Sequence, residues 1–225
     1  MPDATVERFD ITADFEGLIR LLAKNLYTEP EVFVRELVQN AHDAIALRSV
    51  DQPDLHGWID ISVDQVARLV TVRDNGIGMS RAEIREFLSV IGASDKGTIR
   101  DELSRAGHDV ARRLIGQFGI GMLSAYVVAD RIVVRSRRAD ESDGLEWSNS
   151  GSRACELRQI ARDQPGTEVE LHIAEGYEFV LAADHLTRSI VKYCDFIPYP
   201  IVLNGVGPVN ATAAPWHKDH WTSPE

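Results

Sequence analysis

The 225-residue sequence predicts an α+β fold in which helices cover one face of a mixed, mostly antiparallel sheet. Two observations predict it. Helical apolar spacing and strand-like apolar alternation both recur along the chain, so the fold combines the two kinds of element. Several strand-like runs are joined by short turns, which make hairpins, and not by the long crossovers that parallel strands require.

The first two predicted elements are helices. Leucines at helical spacing predict a helix over residues 15–27, and a second helix is predicted to run to about Arg48. Its start is predicted at Thr28-Glu29-Pro30-Glu31, where the threonine caps the helix, the proline lies in the first turn and Glu31 completes a capping-box spacing.

A hairpin and a third helix follow. Alternating apolar residues around a short turn predict a hairpin over residues 59–74. Ser80 and Glu83 form another capping-box pair, which predicts a helix through about Val90. Residues 92–115 are polar and rich in glycine and charge, which is typical of a mobile surface segment.

The second half of the chain predicts most of the sheet. A helix is predicted from the glycine-rich run GQFGIG to about Ala129, and another over about residues 178–195, before the run FIPYPIVLNG. Strands are predicted at 131–137, 145–149, 154–160 and 167–173.

Composition limits the function. The chain is long enough for one large domain, or one domain plus a tail. Its 35 acidic and 24 basic residues give a net charge of −11, which disfavours nucleic acid as the main partner. Two cysteines without metal-ligand spacing, no secretory signal and no apolar run of membrane-spanning length predict a cytoplasmic protein that does not bind membranes.

The second helix carries a polar stripe beside its apolar face. Glu36, Asn40, Asp43 and Leu47 follow one another at helical spacing. One interpretation is a solvated polar face. The alternative is a functional pair, in which the Glu36 carboxylate polarises an attacking water as a general base and the Asn40 amide oxygen ligates Mg²⁺.

The run RDNGIGM raises the same choice between structure and ligand. Asn-Gly after a strand is a common turn signal, but a turn requires neither a second glycine nor a following methionine. A bound purine would use each feature. Asp74 could accept a hydrogen bond from an exocyclic amino group, Gly76 and Gly78 would let backbone approach the ring, and Met79 would offer an apolar wall.

A glycine cluster directly before a helix points to phosphate. The run GQFGIGM is more often a plain loop, but at a helix N-terminus its free N–H groups suit a phosphate chain. It does not fit a Walker-A loop, because no Lys-Ser/Thr follows it. A Rossmann site is disfavoured because no strand immediately precedes it.

Taken in order, these three motifs resemble the gyrase, heat-shock chaperone, histidine kinase and MutL (GHKL) ATPase superfamily. The chain is most similar to the N-terminal nucleotide-binding domain of the heat-shock protein 90 chaperones, from about Phe9 to Trp216. The most specific stretches are LYTEPEVFVRELVQNAHDAI, DNGIGMSRAEI, IGQFGIGMLSAYVVAD and FIPYPIVL. The resemblance implies a two-layer α/β sandwich of the Bergerat type, with ATP held between helices and sheet.

The resemblance also implies roles for individual residues. Glu36 activates water and Asn40 binds Mg²⁺, while Asp74 binds the adenine amino group with Gly78 and Met79 beside the ring. Asp43 and Ala44 line the pocket, and Thr167 reaches the water network around the adenine. The implied phosphate-side residues are Ser94 and Lys96 in the lid, and Gly116, Gln117, Phe118, Gly119, Ile120, Gly121 and Met122.

Three positions depart from the family pattern. Phe87 stands where an asparagine is usual, Ala93 where a lysine commonly precedes the serine, and Met122 where an aromatic residue is usual. These departures bear on lid contacts and nucleotide affinity and leave the three principal motifs intact.

The resemblance predicts how the chain is organised and what it partners. Residues 1–210 form the ATP-binding domain with a lid at about 92–115, and 211–225 lead toward a middle domain that would supply a catalytic arginine. The chain is therefore interpreted as an excised, monomeric N-terminal domain of a homodimeric chaperone for unfolded or client proteins. Alternatives are an ATP-sensing module with little turnover and a MutL-like or gyrase-like ATPase.

Overall fold

The computed structural model describes residues 15–26, 29–89 and 121–212. Within these ranges lie five α-helices, seven strands and one short 3₁₀ helix, Glu178–Leu181. The helices are α1 Phe15–Leu26, α2 Val32–Asp51, α3 Arg81–Ser89, α4 Gly121–Val128 and α5 Ala183–Cys194. The strands are β1 Ile59–Asp64, β2 Leu69–Asp74, β3 Ala129–Arg137, β4 Gly144–Asn149, β5 Glu156–Ile160, β6 Gly166–Ile173 and β7 Ile201–Leu203.

The seven strands form one sheet in the order β5-β4-β3-β6-β2-β1-β7. Every neighbouring pair is antiparallel except β1 and β7, which are parallel. The β1–β2, β3–β4 and β4–β5 pairs are hairpins, as the short turns in the sequence predict. The α+β class and the mixed, mostly antiparallel sheet are thus confirmed.

The core lies between the sheet and the helix layer. Helix α2 packs against β2 and lies between α4 and α5. The apolar stripe of α2 is almost completely buried, with no member more than 3% exposed: Phe33, Val34, Leu37, Val38, Ala41 and Ile45. Alternate residues of the strands, such as Val72 and Val134, fill the facing side. The helical and strand periodicities therefore meet in one core.

The opposite face of the sheet carries a charge ladder. Its members stand directly opposite one another on six adjacent strands and alternate in sign: Arg158, Glu146, Arg135, Glu168, Arg73 and Asp60. Arg135 donates to Glu146 and to Glu168, at 2.8 Å each, and Arg73 donates to Asp60 at 2.8 Å. Arg158 pairs with Glu146 from the other side. The charged side chains of this ladder therefore form ion pairs with one another.

Two helix boundaries differ from the prediction. Helix α2 begins at Val32, and its N-cap, Glu31, makes no side-chain capping bond; Thr28 lies outside the described residues. Backbone carbonyls of Glu29 and Glu31 accept from Val32 N and Val34 N, so a backbone turn starts this helix.

The single helix predicted over 178–195 is also wrong. The chain forms the 3₁₀ helix, then extends at Ala182, with φ −80° and ψ 122°, before α5 begins. The Ala182 carbonyl accepts from His185 N and Leu186 N, so a new helix starts there and does not continue the previous one.

The capping box before α3 is confirmed. Ser80 N donates to Glu83 Oε2 at 2.7 Å, and Glu83 N donates to Ser80 Oγ at 3.3 Å.

The predicted helix α1 is also confirmed, but Leu18, Leu21 and Leu22 are exposed while Ile19 is buried. Across the described ranges, none of the helices has the length and apolar character needed to cross a membrane.

Candidate functional site

The Glu36 carboxylate is held between its own helix and the start of α4. Arg35 donates to Glu36 Oε1 through Nη2 at 2.7 Å and Nε at 3.2 Å. A Cβ added at Gly121 would lie 2.6 Å from Glu36 Oε2. The absence of a side chain at Gly121 therefore lets the Glu36 carboxylate approach the N-terminus of α4, whose helix dipole favours negative charge.

The Asp74 carboxyl lies at the end of β2 and is only 7% exposed. Its Oδ1 accepts hydrogen bonds from Gly76 N at 2.8 Å and Thr167 N at 3.3 Å. Burial nevertheless raises the pKa of Asp74 to about 7, because the two N–H donors offset only part of the lost hydration. In the part of the chain that the structure describes, no group donates to Oδ2. This oxygen is therefore the one that a ligand would meet.

The segment after Asp74 is fixed between α2 and the end of β3. Ile77 N donates to the Ala44 carbonyl at 2.9 Å, and Ala139 N donates to the Ile77 carbonyl at 2.8 Å. A Cβ added at Gly76 would lie 2.5 Å from the Ala44 Cβ, so only glycine permits this approach. The RDNGIGM run is thus more than a turn, because it joins the helix layer to the sheet.

Gly78 is the tightest point of this segment, and its replacement by alanine is expected to destabilise the fold. Gly78 has φ +71°, and an added Cβ would lie 2.0 Å from the Arg137 carbonyl oxygen. We expect Gly78→Ala to lower the free energy of unfolding by about 2–4 kcal/mol, from backbone strain plus overpacking. Urea unfolding measures this change.

The matched control for Gly78 is Gly205. Gly205 has a similar φ of +75°, but an added Cβ would meet nothing within 4 Å. Gly205→Ala therefore isolates the conformational cost, roughly 1–2 kcal/mol. Equal losses in the two variants would show that the close approach to Arg137 carries no energy.

The Glu36 and Asp74 carboxylates lie near different points along helix α2, since Ala44 contacts the segment that follows Asp74. Glu36 and Ala44 are eight residues apart, so they lie about 12 Å apart along the helix axis. The Glu36 end faces the start of α4, and the Ala44 end faces Gly76 and Asp74. The arrangement suits a ligand with a hydrogen-bonding ring at one end and an anionic chain at the other.

Other predicted residues have different surroundings. Asn40 is half-buried on α2, one turn from Glu36. Asp43 is buried, and its Oδ1 lies 3.0 Å from His42 Nδ1. Met122 and Met79 are half-buried and pack against the core. Seven predicted residues lie outside the described ranges: Ser94, Lys96, Gly116, Gln117, Phe118, Gly119 and Ile120.

Three residues of the site were not predicted from the sequence. Arg35 holds Glu36, and Ser136 bonds to Thr167 and Met79. Gly166, at φ +122°, lets β6 approach Asp74, since an added Cβ would lie 2.2 Å from the Asp74 carbonyl oxygen. A serine on the core-facing side of an apolar strand is a signal that could have identified Ser136.

Within the described ranges, no group of three or more His, Cys, Asp or Glu side chains is arranged to hold a metal ion. The Glu36 carboxylate lies at the start of α4, and the Asn40 amide stands one turn further along α2. Such a sparse donor set fits Mg²⁺, which retains several waters and is usually completed by substrate phosphates.

Comparison with models of protein families gives a match over most of the chain. The model described as "Histidine kinase-, DNA gyrase B-, and HSP90-like ATPase" matches residues 27–165. This range contains Glu36, Asn40, Asp74 and the glycine run before α4.

Comparison with individual proteins gives bacterial relatives. The chain is 39% identical over 212 residues to the protein named "Chaperone protein HtpG" of Coxiella burnetii (strain RSA 331 / Henzerling II), covering 89% of this chain and 33% of that protein. Proteins of the same name from Nocardia farcinica and Mycobacterium ulcerans are 39% and 37% identical, over 87% and 88% of this chain. The chain spans about a third of the length of these curated relatives.

Proposed function

The chain belongs to the histidine kinase-, DNA gyrase B- and HSP90-like ATPase family, and from this premise we propose that it binds Mg-ATP between α2 and the sheet and hydrolyses it slowly. The adenine lies at the Asp74 end of the site, and the phosphate chain runs along α2 toward Glu36 and the start of α4. ATP is the substrate and Mg²⁺ the cofactor.

The observation that carries this proposal is the buried Asp74 carboxyl. Burying a carboxylate is energetically unfavourable unless its oxygens accept hydrogen bonds. Here both N–H donors, Gly76 N and Thr167 N, bond to Oδ1. The second oxygen suits the exocyclic amino group of adenine, which is a donor. Guanine carries a carbonyl oxygen at the corresponding position, which would repel an ionised carboxylate. The site therefore favours adenine.

At the other end, Glu36 is proposed as the general base. Arg35 fixes Oε1, so the carboxylate has one orientation, with Oε2 directed to the start of α4. A water molecule between Oε2 and the γ-phosphate would donate its proton to Glu36 as it attacks. Mg²⁺, held by Asn40 and the phosphates, would neutralise charge on the phosphate oxygens. The proposed phosphate-wrapping residues are the glycine run from Gly116 to Met122.

Gly121 is expected to control the geometry of Glu36. Replacing it by alanine puts a methyl group 2.6 Å from Oε2, so the carboxylate must move. We expect ATP turnover to fall by at least about 10-fold, since a shift of 1 Å can cost 10²-fold. Steady-state hydrolysis measures the loss. Alanine raises helix propensity, so thermal unfolding should show no loss of stability; unchanged turnover would contradict the proposed position of the reacting water.

The activity of the whole protein is a further proposal, because this chain spans about a third of its relatives. Since those relatives are named chaperones, we propose that the full-length protein is a homodimeric, cytoplasmic chaperone that binds unfolded or client proteins. Residues 92–115 act as the lid, and 1–210 as the ATP-binding domain. Neither Cys155 nor Cys194 forms a disulfide, which fits a reducing compartment.

A second candidate is an ATP-sensing module that closes on nucleotide with little turnover. The substitutions at Phe87 and Ala93 favour it, since they alter residues that are usually near the nucleotide and lid. Single-turnover hydrolysis by a longer chain that includes the next domain separates the two candidates. A single turnover on the timescale of minutes supports the ATPase, and intact ATP after prolonged incubation supports the sensor.

The direct test of the proposed function is calorimetric titration with ADP, with and without Mg²⁺. We expect one site per chain, tighter binding with Mg²⁺, and no binding of GDP at the same concentration. Failure of ADP to bind under either condition would overturn the proposal.

A further inference from the structure

One row of the sheet is polar where the neighbouring row is apolar. Ser136, Thr167 and Asp74 stand directly opposite one another on β3, β6 and β2, on the core-facing side of the sheet. They are 0%, 8% and 7% exposed. The next core-facing row in the same strands is Val134, Val169 and Val72. Burying polar side chains is unfavourable unless they are bonded, so packing alone does not account for this row.

Ser136 is the most connected member of the row. Its Oγ accepts a hydrogen bond from Met79 N at 2.9 Å and lies 3.0 Å from Thr167 Oγ1. It also donates to the Gly166 carbonyl at 3.2 Å. Thr167 N in turn donates to Asp74 Oδ1. One hydroxyl group thus connects the segment after β2 to the strand beside Asp74.

We propose that Ser136 is a positioning residue for the nucleobase, an inference that rests on the proposed adenine site at Asp74. Met79 would form the wall of that site and Thr167 its floor. By bonding to both residues, the Ser136 hydroxyl fixes the distance between Met79 and Thr167. It also fixes the rotamer of the Thr167 hydroxyl. A base then meets Asp74 Oδ2 and Thr167 Oγ1 without prior reorganisation, which increases affinity.

The test compares Ser136→Ala with wild type and with Ser136→Thr, which keeps a hydroxyl. Ser62→Ala is the matched control, because Ser62 lies in the same sheet on β1 and is paired with Thr71 away from the core. Calorimetry with ADP gives the affinity, and amide hydrogen exchange of the ligand-free chain gives the protection of Met79.

We expect Ser136→Ala to weaken ADP binding roughly 3- to 10-fold, the effect of one lost hydrogen bond. The Met79 amide should exchange at least about 5-fold faster, because its acceptor is removed. Ser136→Thr should restore both values, and Ser62→Ala should change neither. A merely structural role would lower the unfolding temperature and speed exchange at the Met79 amide without weakening ADP binding.

Unchanged ADP affinity in Ser136→Ala, with wild type binding ADP, overturns this inference and leaves the proposed function intact. If wild type binds no ADP, both are overturned. If Ser136→Ala does not fold, the isosteric pair Ser136→Thr and Ser136→Val replaces it, since the two differ only in a hydroxyl. Equal ADP affinity in that pair overturns the inference, and weaker binding by the valine variant supports it.

Discussion

Replacing Glu36 by alanine is expected to abolish most ATP turnover while leaving nucleotide binding in place. The proposed general base contributes roughly 10²- to 10⁴-fold to the hydrolysis rate, and its removal should cost that factor. ADP affinity should change little, because the adenine end of the site lies about 12 Å away along α2. Initial rates of phosphate release, with calorimetry on the same preparations, measure both quantities.

The control for Glu36 is Asp51→Ala, which removes an exposed carboxylate from the other end of the same helix. It should leave turnover at the wild-type level. Glu36→Gln keeps the size of the side chain and should be as impaired as Glu36→Ala, since an amide does not accept the proton. Full turnover in either Glu36 variant would exclude Glu36 as the base.

The second large effect is expected at Asp74. Asp74→Asn should weaken adenine-nucleotide binding by about 1.5–3 kcal/mol, the contribution of a hydrogen bond to a charged group. This corresponds to roughly 10- to 150-fold in the dissociation constant. Calorimetry with ADP measures it, and an unchanged affinity would mean that the adenine binds elsewhere.

Because burial raises the pKa of Asp74 to about 7, the same carboxyl should make binding depend on pH. Adenosine is the suitable probe, since it lacks phosphates that titrate near neutrality. If the ionised carboxylate is the binding form, adenosine should bind wild type about 10-fold more weakly at pH 6 than at pH 8. Asp74→Asn should show no such dependence, because an amide does not titrate; a matching pH profile in the variant would contradict the assignment.

The raised pKa of Asp74 also determines how the free energy of unfolding of the ligand-free chain changes with pH. Between the ordinary value of 3.8 and about 7, folded Asp74 retains a proton that the unfolded chain has released. The free energy of unfolding therefore falls as pH rises through this window. In urea unfolding, the stability of Asp74→Asn relative to wild type should increase by about 2–3 kcal/mol from pH 5 to pH 8.

Local features of the fold were predictable because their causes are local. The Ser80–Glu83 capping box requires only residues three apart, and the structure contains it. The start of α2 was less predictable, because a backbone turn at Glu29–Glu31 replaces the side-chain cap. The break at Ala182 had no clear signal, since alanine is a good helix former and its extended conformation depends on the surrounding structure.

The candidate site likewise contains some residues that the sequence predicts and others that it does not. Glu36, Asn40, Asp74 and the glycines stand in short motifs with a chemical reason for each residue. Periodicity places Ser136 on the core side of β3, but its pairing with Thr167 depends on the register of strands about 30 residues apart, which periodicity does not give. Helical spacing does not predict the Arg35–Glu36 contact, because neighbouring residues on a helix point in different directions and only the long arginine side chain reaches back to Glu36.

The charge ladder bears on which sheet the chain assembles. Sliding one strand by two residues keeps every apolar side chain on the core side, so hydrophobicity barely opposes that error. The ladder does oppose it. Displacing β5 by two positions would set Glu156 or Ile160 against Glu146, which is 8% exposed, in place of Arg158. These ion pairs add little to the stability of the correctly paired sheet, but they disfavour strand pairings that are shifted out of register.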